Sequence, residues 1–141
     1  MIYLEAISKT FSDSGGEYLE ALRGIDVKIN SGEIVTVIGG NGSGKSTLLN
    51  IIAGTIMPTK GNVWINNKIV TRMPEWKRAE YIARVFQSPE KGVVSSLRVS
   101  ENLALASKKN NYRLFHYCVR KRDLDFYQGL LSGLEIGIEN K

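Results

Sequence analysis

An α/β fold is the architecture this 141-residue chain predicts: a parallel sheet with helices and an antiparallel β extension. Three consecutive observations predict it. Ile34-Val35-Thr36-Val37-Ile38 is β-branched and almost wholly apolar, the pattern of a strand buried on both faces of a parallel sheet. Directly after it, residues 39–47 read Gly-Gly-Asn-Gly-Ser-Gly-Lys-Ser-Thr, which fits a phosphate-binding loop: Gly, four residues, Gly-Lys-Ser/Thr. Leu48 to Ala53, followed by Gly54, then reads as a helix closed by a glycine C-cap.

The other elements follow in chain order. Residues 2–8 and 22–29 are strands, the second alternating apolar and polar as a half-exposed strand does. Ser12 to Gly16 is the turn-rich connection between them, and Ser31-Gly32-Glu33 is a tight turn into the buried run. Pro58 to Gly61 is a loop. Val63-Trp64-Ile65, Asn66-Asn67 and Lys68-Ile69-Val70 form a hairpin. Pro74 to Tyr81 is a short helix with proline at its first turn. Tyr81 to Phe86 is a further strand. Beyond Ser88 the character becomes helical, with Ser100 as an N-cap and a second helix from about Tyr112 to Leu131.

Each residue type in 39–47 has a task against a polyphosphate. Gly39, Gly40, Gly42 and Gly44 let backbone N–H groups close around phosphate oxygens without Cβ clashes. Lys45 supplies a point charge, and the Ser46 hydroxyl is a hard oxygen ligand for Mg²⁺. Asn41, Ser43 and Thr47 complete the loop. The helix that follows turns its free N–H groups and positive dipole end toward the same anion. A run of glycine and serine alone would be a flexible loop, but here the lysine, the hydroxyls and both flanking elements agree. The dinucleotide pattern Gly-x-Gly-x-x-Gly fails, because Lys45 or Thr47 falls at the third glycine position.

Composition bounds the rest. About two fifths of the chain is hydrophobic, enough for one modest domain. The net charge of +5 suits anionic ligands but is ordinary for solubility. Cys118 stands alone, which excludes an internal disulfide, and the single His116 gives no metal cluster. No apolar run reaches the roughly 20 residues of a membrane span, and no signal peptide opens the chain, so a cytosolic compartment is expected. Arg113, Arg120, Lys121 and Arg122 read as a solvated helix face, and no nucleic-acid partner is expected.

At this point the residues resemble a known family, the ATP-binding subunits of ABC transporters. The resemblance rests on Ala21-Leu22-Arg23-Gly24-Ile25, Ser31-Gly32-Glu33-Ile34-Val35, the Gly-x-Asn-Gly-x-Gly-Lys-Ser-Thr form of the loop and Ala53-Gly54. Pro58-Thr59-x-Gly61, Val85-Phe86-Gln87 and Glu101-Asn102-Leu103 extend it. Together these span almost all of 1–106 in family order. The resemblance implies a P-loop NTPase core of the ABC ATPase type with an antiparallel β subdomain over 1–87, and the start of a helical subdomain over 88–141. It implies ATP and Mg²⁺ as cofactors. Phe11 takes the place of the aromatic that stacks on adenine, with Tyr3 and Tyr18 near by and a core role as its rival. Gln87 takes the place of the glutamine that contacts Mg²⁺ or the attacking water and links to the membrane partner. Lys45 and Gln87 would thus serve catalysis, and Ser46 and Gln87 the metal.

The family's partners are a second ATPase subunit and transmembrane permease subunits, which would hold the protein at the inner face of the membrane. The family signature Leu-Ser-Gly-Gly-Gln is absent; Leu131-Ser132-Gly133-Leu134-Glu135 only approximates it. The Mg²⁺-binding aspartate, the catalytic glutamate and the switch histidine are not found either, and Asp123 and Asp125 are poor substitutes. A truncated cassette of marginal stability is therefore expected. It would bind nucleotide, with hydrolysis in the complete protein. The remaining alternative is a small nucleotide kinase, for which Arg78 and Arg84 would be the lid arginines.

Overall fold

The computed structural model describes residues 1–13, 15–107 and 121–133. They fall into two compact units, Met1–Ala83 and Arg84–Lys141.

The first unit is organised by one long strand. β1 (Ile2–Ser12) pairs antiparallel with β2 (Tyr18–Ile29) on one side and with β3 (Lys60–Ile65) on the other. β4 (Lys68–Ile69) closes the order β2-β1-β3-β4. The strands expected over 2–8 and 22–29 are present and longer at the connection. There Asp13 Oδ1 accepts from the N–H groups of Gly15 and Glu17, each at 2.9 Å. Asn66 and Asn67 both have positive φ, 47° and 62°, the geometry that a two-residue hairpin turn requires.

Leu4 and Ile7 are both fully buried, although three positions apart on a strand they should face opposite ways. A bulge resolves this. Ala6 takes φ 48°, its N–H donates to Asp26 Oδ1 at 2.8 Å, and the register shifts between Leu4 and Ile7. Across from it Gly61, at φ 90°, passes so close that a Cβ would meet the carbonyl oxygens of Glu5 and Ala6. The bulge thus places Leu4 and Ile7 in one core with Leu22, Val63, Ile65, Val70 and Ile51. Ile51 belongs to α1 (Lys45–Ala53), which ends at Gly54 with φ 87° as the sequence predicts. Each such buried aliphatic side chain contributes about 1.5–3 kcal/mol relative to exposure.

Two predicted strands do not form. Residues 34–38 join no ladder among the described residues, and Ile34 and Ile38 are 97% and 88% exposed. A strand buried on both faces needs neighbouring strands and covering helices, and the described residues supply neither. The run is therefore not the buried strand its composition predicts. Tyr81–Phe86 is also not a strand. The N–H groups of Tyr81 and Ile82 donate to Arg78 O at 2.8 and 3.0 Å, continuing the turn of α2 (Glu75–Arg78), and so are not free for a ladder. The helix expected over 74–81 is correspondingly shorter.

In the second unit a 3₁₀ turn (Pro89–Gly92) precedes α3 (Val99–Ser107) and α4 (Lys121–Ser132). Ser100 lies inside α3 rather than capping it. Glu101 Oε2 instead accepts from the N–H of Arg98 at 2.8 Å, as the acidic residue of a capping box does. Asn102 secures the preceding loop: its Oδ1 accepts from Val94 N–H at 2.8 Å and its Nδ2 donates to Val94 O at 3.1 Å. The hydroxyls of Ser107 and Tyr127 lie 2.7 Å apart, joining α3 to α4. Of the helix expected over 112–131, only its later part is described; Arg113, His116, Cys118 and Arg120 lie outside the described residues.

Candidate functional site

The glycine-rich loop leads straight into α1. Gly42 and Gly44 take φ 79° and 87°, values that favour glycine. Gly44 has a second reason to lack a side chain: a Cβ there would lie 2.5 Å from Ala21 O and 2.8 Å from Leu22 Cδ2. The loop is therefore seated against β2, and the N-terminus of α1 with it. Leu48 N–H donates to Gly44 O at 2.8 Å, so the helical ladder starts at the loop's last glycine.

Lys45 turns back over the loop. Its Nζ donates to Gly39 O at 2.8 Å, Gly40 O at 2.5 Å and Ser43 Oγ at 3.3 Å. These three acceptors fix the ammonium over the loop, beside the amides that an anion would meet. Ser46, the second residue of α1, is exposed, so its hydroxyl is open to a ligand.

A depression of about 360 Å³ lies over this loop. Residues 41–47 form one wall, and Phe11, Leu19 and Ala21 of the β1–β2 ribbon form the other. Among these lining residues Lys45 carries the only formal charge. Phe11 is 37% exposed and stands directly across the ladder from Leu19, so it is not a core residue. Lys9 Nζ lies 5.0 Å from its ring centroid. Tyr18 is 79% exposed and does not line the depression. Tyr3 pairs with Lys28 and Trp64 toward the other end of β1. A flat apolar wall beside a cationic, amide-rich loop can take a planar ring at one end and a polyphosphate at the other.

The fold thus brings Phe11 and Asn41 to Thr47 together, with Gly39 and Gly40 bound to Lys45. Gln87 is exposed and belongs to the second unit. Leu19 and Ala21 were not legible as site residues, because only the register of the β1–β2 ribbon sets them opposite Phe11. Arg78 is fully buried and bonded to carbonyl oxygens, so it is not a lid arginine. The guanidinium of Arg84 packs on the Phe86 ring at 4.6 Å.

Comparison with known proteins gives a consistent result. The family model described as ABC transporter matches residues 22–135. The tyrosine transport ATP-binding protein of Clostridioides difficile is 35% identical over 139 residues, 99% of this chain and 55% of that protein. The thiamine import ATP-binding protein of Haemophilus influenzae is 42% identical over 83 residues, 59% of this chain and 37% of that protein. Among solved structures, a dimeric ATP-binding cassette in a post-hydrolysis state bound to ADP and Pi aligns with a TM-score of 0.73 at 30% identity. That alignment covers 99% of this chain and 60% of the other. A nucleotide-free cassette from an ABC transporter aligns with a TM-score of 0.72 at 26% identity, covering 100% and 57%. The chain spans 55% and 37% of the lengths of these two curated relatives. With its phosphate loop, antiparallel sheet and match over 22–135, the chain belongs to the ABC transporter family, with the sequence and fold of its ATP-binding cassette.

Proposed function

We propose that this chain binds Mg²⁺-ATP in the depression between Phe11 and the 39–47 loop, as the nucleotide-binding part of a transport ATPase. The observation that carries the reading is the position of Lys45. Its ammonium is held over the loop by Gly39 O and Gly40 O, in the same depression that Phe11 lines. Adenine stacks on Phe11, and the phosphates lie over the N–H groups of 42–47. Lys45 Nζ exchanges one of its loop acceptors for an outer phosphate oxygen, a charge-assisted bond. Ser46 would be the loop's ligand for Mg²⁺, and family resemblance gives Gln87 the same role. When bound, Mg²⁺ neutralises charge on the phosphates. Catalysis at such sites is positioning and charge stabilisation rather than covalent chemistry, and Lys45 and Gln87 carry that role here.

For the whole protein, ATP hydrolysis, pairing with a second ATPase subunit and docking on membrane permease subunits complete the proposal. It would then work at the inner face of the membrane, although no described helix is long and apolar enough to cross one. The choice of solute rests with those partners. Titration of the chain with ATP, with Lys45→Ala as comparison, tests the core of the reading. Loss of one charged hydrogen bond, about 1.5–3 kcal/mol, weakens affinity by tenfold or more on the order of magnitude. Equal affinity in both proteins would remove the site.

A further inference from the structure

Arg78 is the one charged residue recorded as buried among the described residues, and the site as drawn above does not use it. Among the described residues no carboxylate holds it. Its Nε donates to Met73 O at 2.9 Å and its Nη2 to Thr71 O at 2.8 Å, both on the segment that follows β4. Its Nη1 donates to Ile51 O at 2.6 Å and Ile52 O at 2.9 Å, two carbonyls in the last turn of α1. Burial pushes the guanidinium below its ordinary pKa, yet arginine keeps its charge even so. A cation at this end of α1 also complements the helix dipole.

The other end of α1 is the phosphate loop. The helix is short, about 13 Å along its axis, and its first residues are Lys45 and Ser46. The N-terminal end is seated on Ala21 through Gly44, and the C-terminal end is held by Arg78. Gly54 shapes this clamp: a Cβ there would stand 2.8 Å from Arg78 Nε and 2.9 Å from Arg78 Cδ. The residue after the helix must therefore be glycine for the guanidinium to reach the carbonyls.

We infer that Arg78 is a positioning residue for the nucleotide site, setting the pose of α1 so that the 42–47 amides and Lys45 meet the phosphates. The inference rests on the nucleotide reading proposed above. Four bonds made by three nitrogens in one plane cannot be copied by the single nitrogen of lysine. Arg78→Lys therefore loses the clamp while keeping charge and length.

The test uses the full chain and five proteins: wild type, Arg78→Lys, Arg78→Met, Val70→Ala and Lys45→Ala. Val70 is a fully buried core residue and serves as a destabilised control. ATP affinity is measured at a temperature where circular dichroism finds each protein folded. The expected result is an affinity loss on the order of tenfold for both Arg78 variants, the scale of a small misplacement of binding groups. Val70→Ala melts earlier but binds ATP as the wild type does. Amide resonances of 42–47 shift in Arg78→Lys and stay in place in Val70→Ala. Wild-type affinity in folded Arg78→Lys would overturn the inference, as would failure of both Arg78 variants to fold, which makes the residue purely structural. If wild type and Lys45→Ala bind ATP alike, the nucleotide reading falls instead, and the 42–47 resonances still decide whether Arg78 sets the loop.

Discussion

Gly44→Ala puts the seating of the phosphate loop to the sharpest test. Two penalties meet at this position. The backbone sits at φ 87°, where a side chain costs about 1–2 kcal/mol. The added Cβ would also lie 2.5 Å from Ala21 O and 2.8 Å from Leu22 Cδ2. Leu22 belongs to the buried core, so neither neighbour yields freely, and overpacking of this kind costs about 1–3 kcal/mol. The expected loss is thus about 2–5 kcal/mol, a large part of the total stability of a small domain. It lowers the melting midpoint by roughly 10–20 °C. Gly40→Ala is the matched comparison. No atom lies within 4 Å of a Cβ there, so its melting midpoint stays close to that of the wild type. Thermal denaturation followed by circular dichroism reads both variants. ATP titration of the folded Gly44→Ala chain should also reveal weaker binding, because α1 must move off β2. Equal melting midpoints for Gly44→Ala and Gly40→Ala would refute the claim that contact with β2 positions the loop.

Phe11→Ala removes one wall of the depression. Base–aromatic stacking is worth about 1–3 kcal/mol, so ATP affinity falls on the order of tenfold while tripolyphosphate binds as before. Equal losses for both ligands would mean that Phe11 supports the loop and not the base. Glu33 accepts from Asn30 Nδ2 at 2.8 Å and from Asn30 N–H at 2.7 Å, and these bonds hold its carboxyl below the usual glutamate range. A depressed carboxyl stabilises the turn above the unfolded-state pKa, and that contribution is lost as pH falls through the folded-state value. Glu33→Gln should therefore lower stability at neutral and basic pH, leave it unchanged at low pH where the carboxyl is already protonated, and so flatten the acid limb. An unaltered acid limb would count against the Asn30–Glu33 bonds.

What was legible in the sequence was local. The loop from Gly39 to Thr47, the Gly54 cap and the Asn66-Asn67 hairpin follow from spacing and backbone chemistry within a few residues. Phe11 was legible by position, and the fold brings it beside the loop. The failures were in pairing and burial, which depend on distant residues. Ile34 to Ile38 has the composition of a central strand, but composition does not supply partners. Tyr81 to Phe86 is apolar enough for a strand, yet the carbonyl of Arg78 takes its first N–H groups. Leu19 and Ala21 join the site only through the β1–β2 register. Nothing near Arg78 in sequence signals burial, because its partners are carbonyls that every residue carries. The roles of Gln87 in metal binding and coupling rest on family resemblance alone.

The central place of β1 has a consequence for evolution by insertion. β2 and β3 flank the same strand and run parallel to each other, so everything from 30 to 59 is one crossover excursion, from the Ile2 end of β1, where Ile29 pairs, to the Ser8 position, where Lys60 pairs. Chain statistics make the closure of such an excursion nearly indifferent to its length, at about 0.6 kcal/mol for a doubling. Added or deleted residues would therefore be tolerated energetically almost anywhere along it. Geometry is far less forgiving, since the excursion is pinned at particular points. Thr59 N–H donates to Ser8 O at 2.8 Å, Gly44 rests on Ala21, and Ile51 and Ile52 are tied to Arg78. Length variation should accordingly collect between the pins and spare the pins themselves.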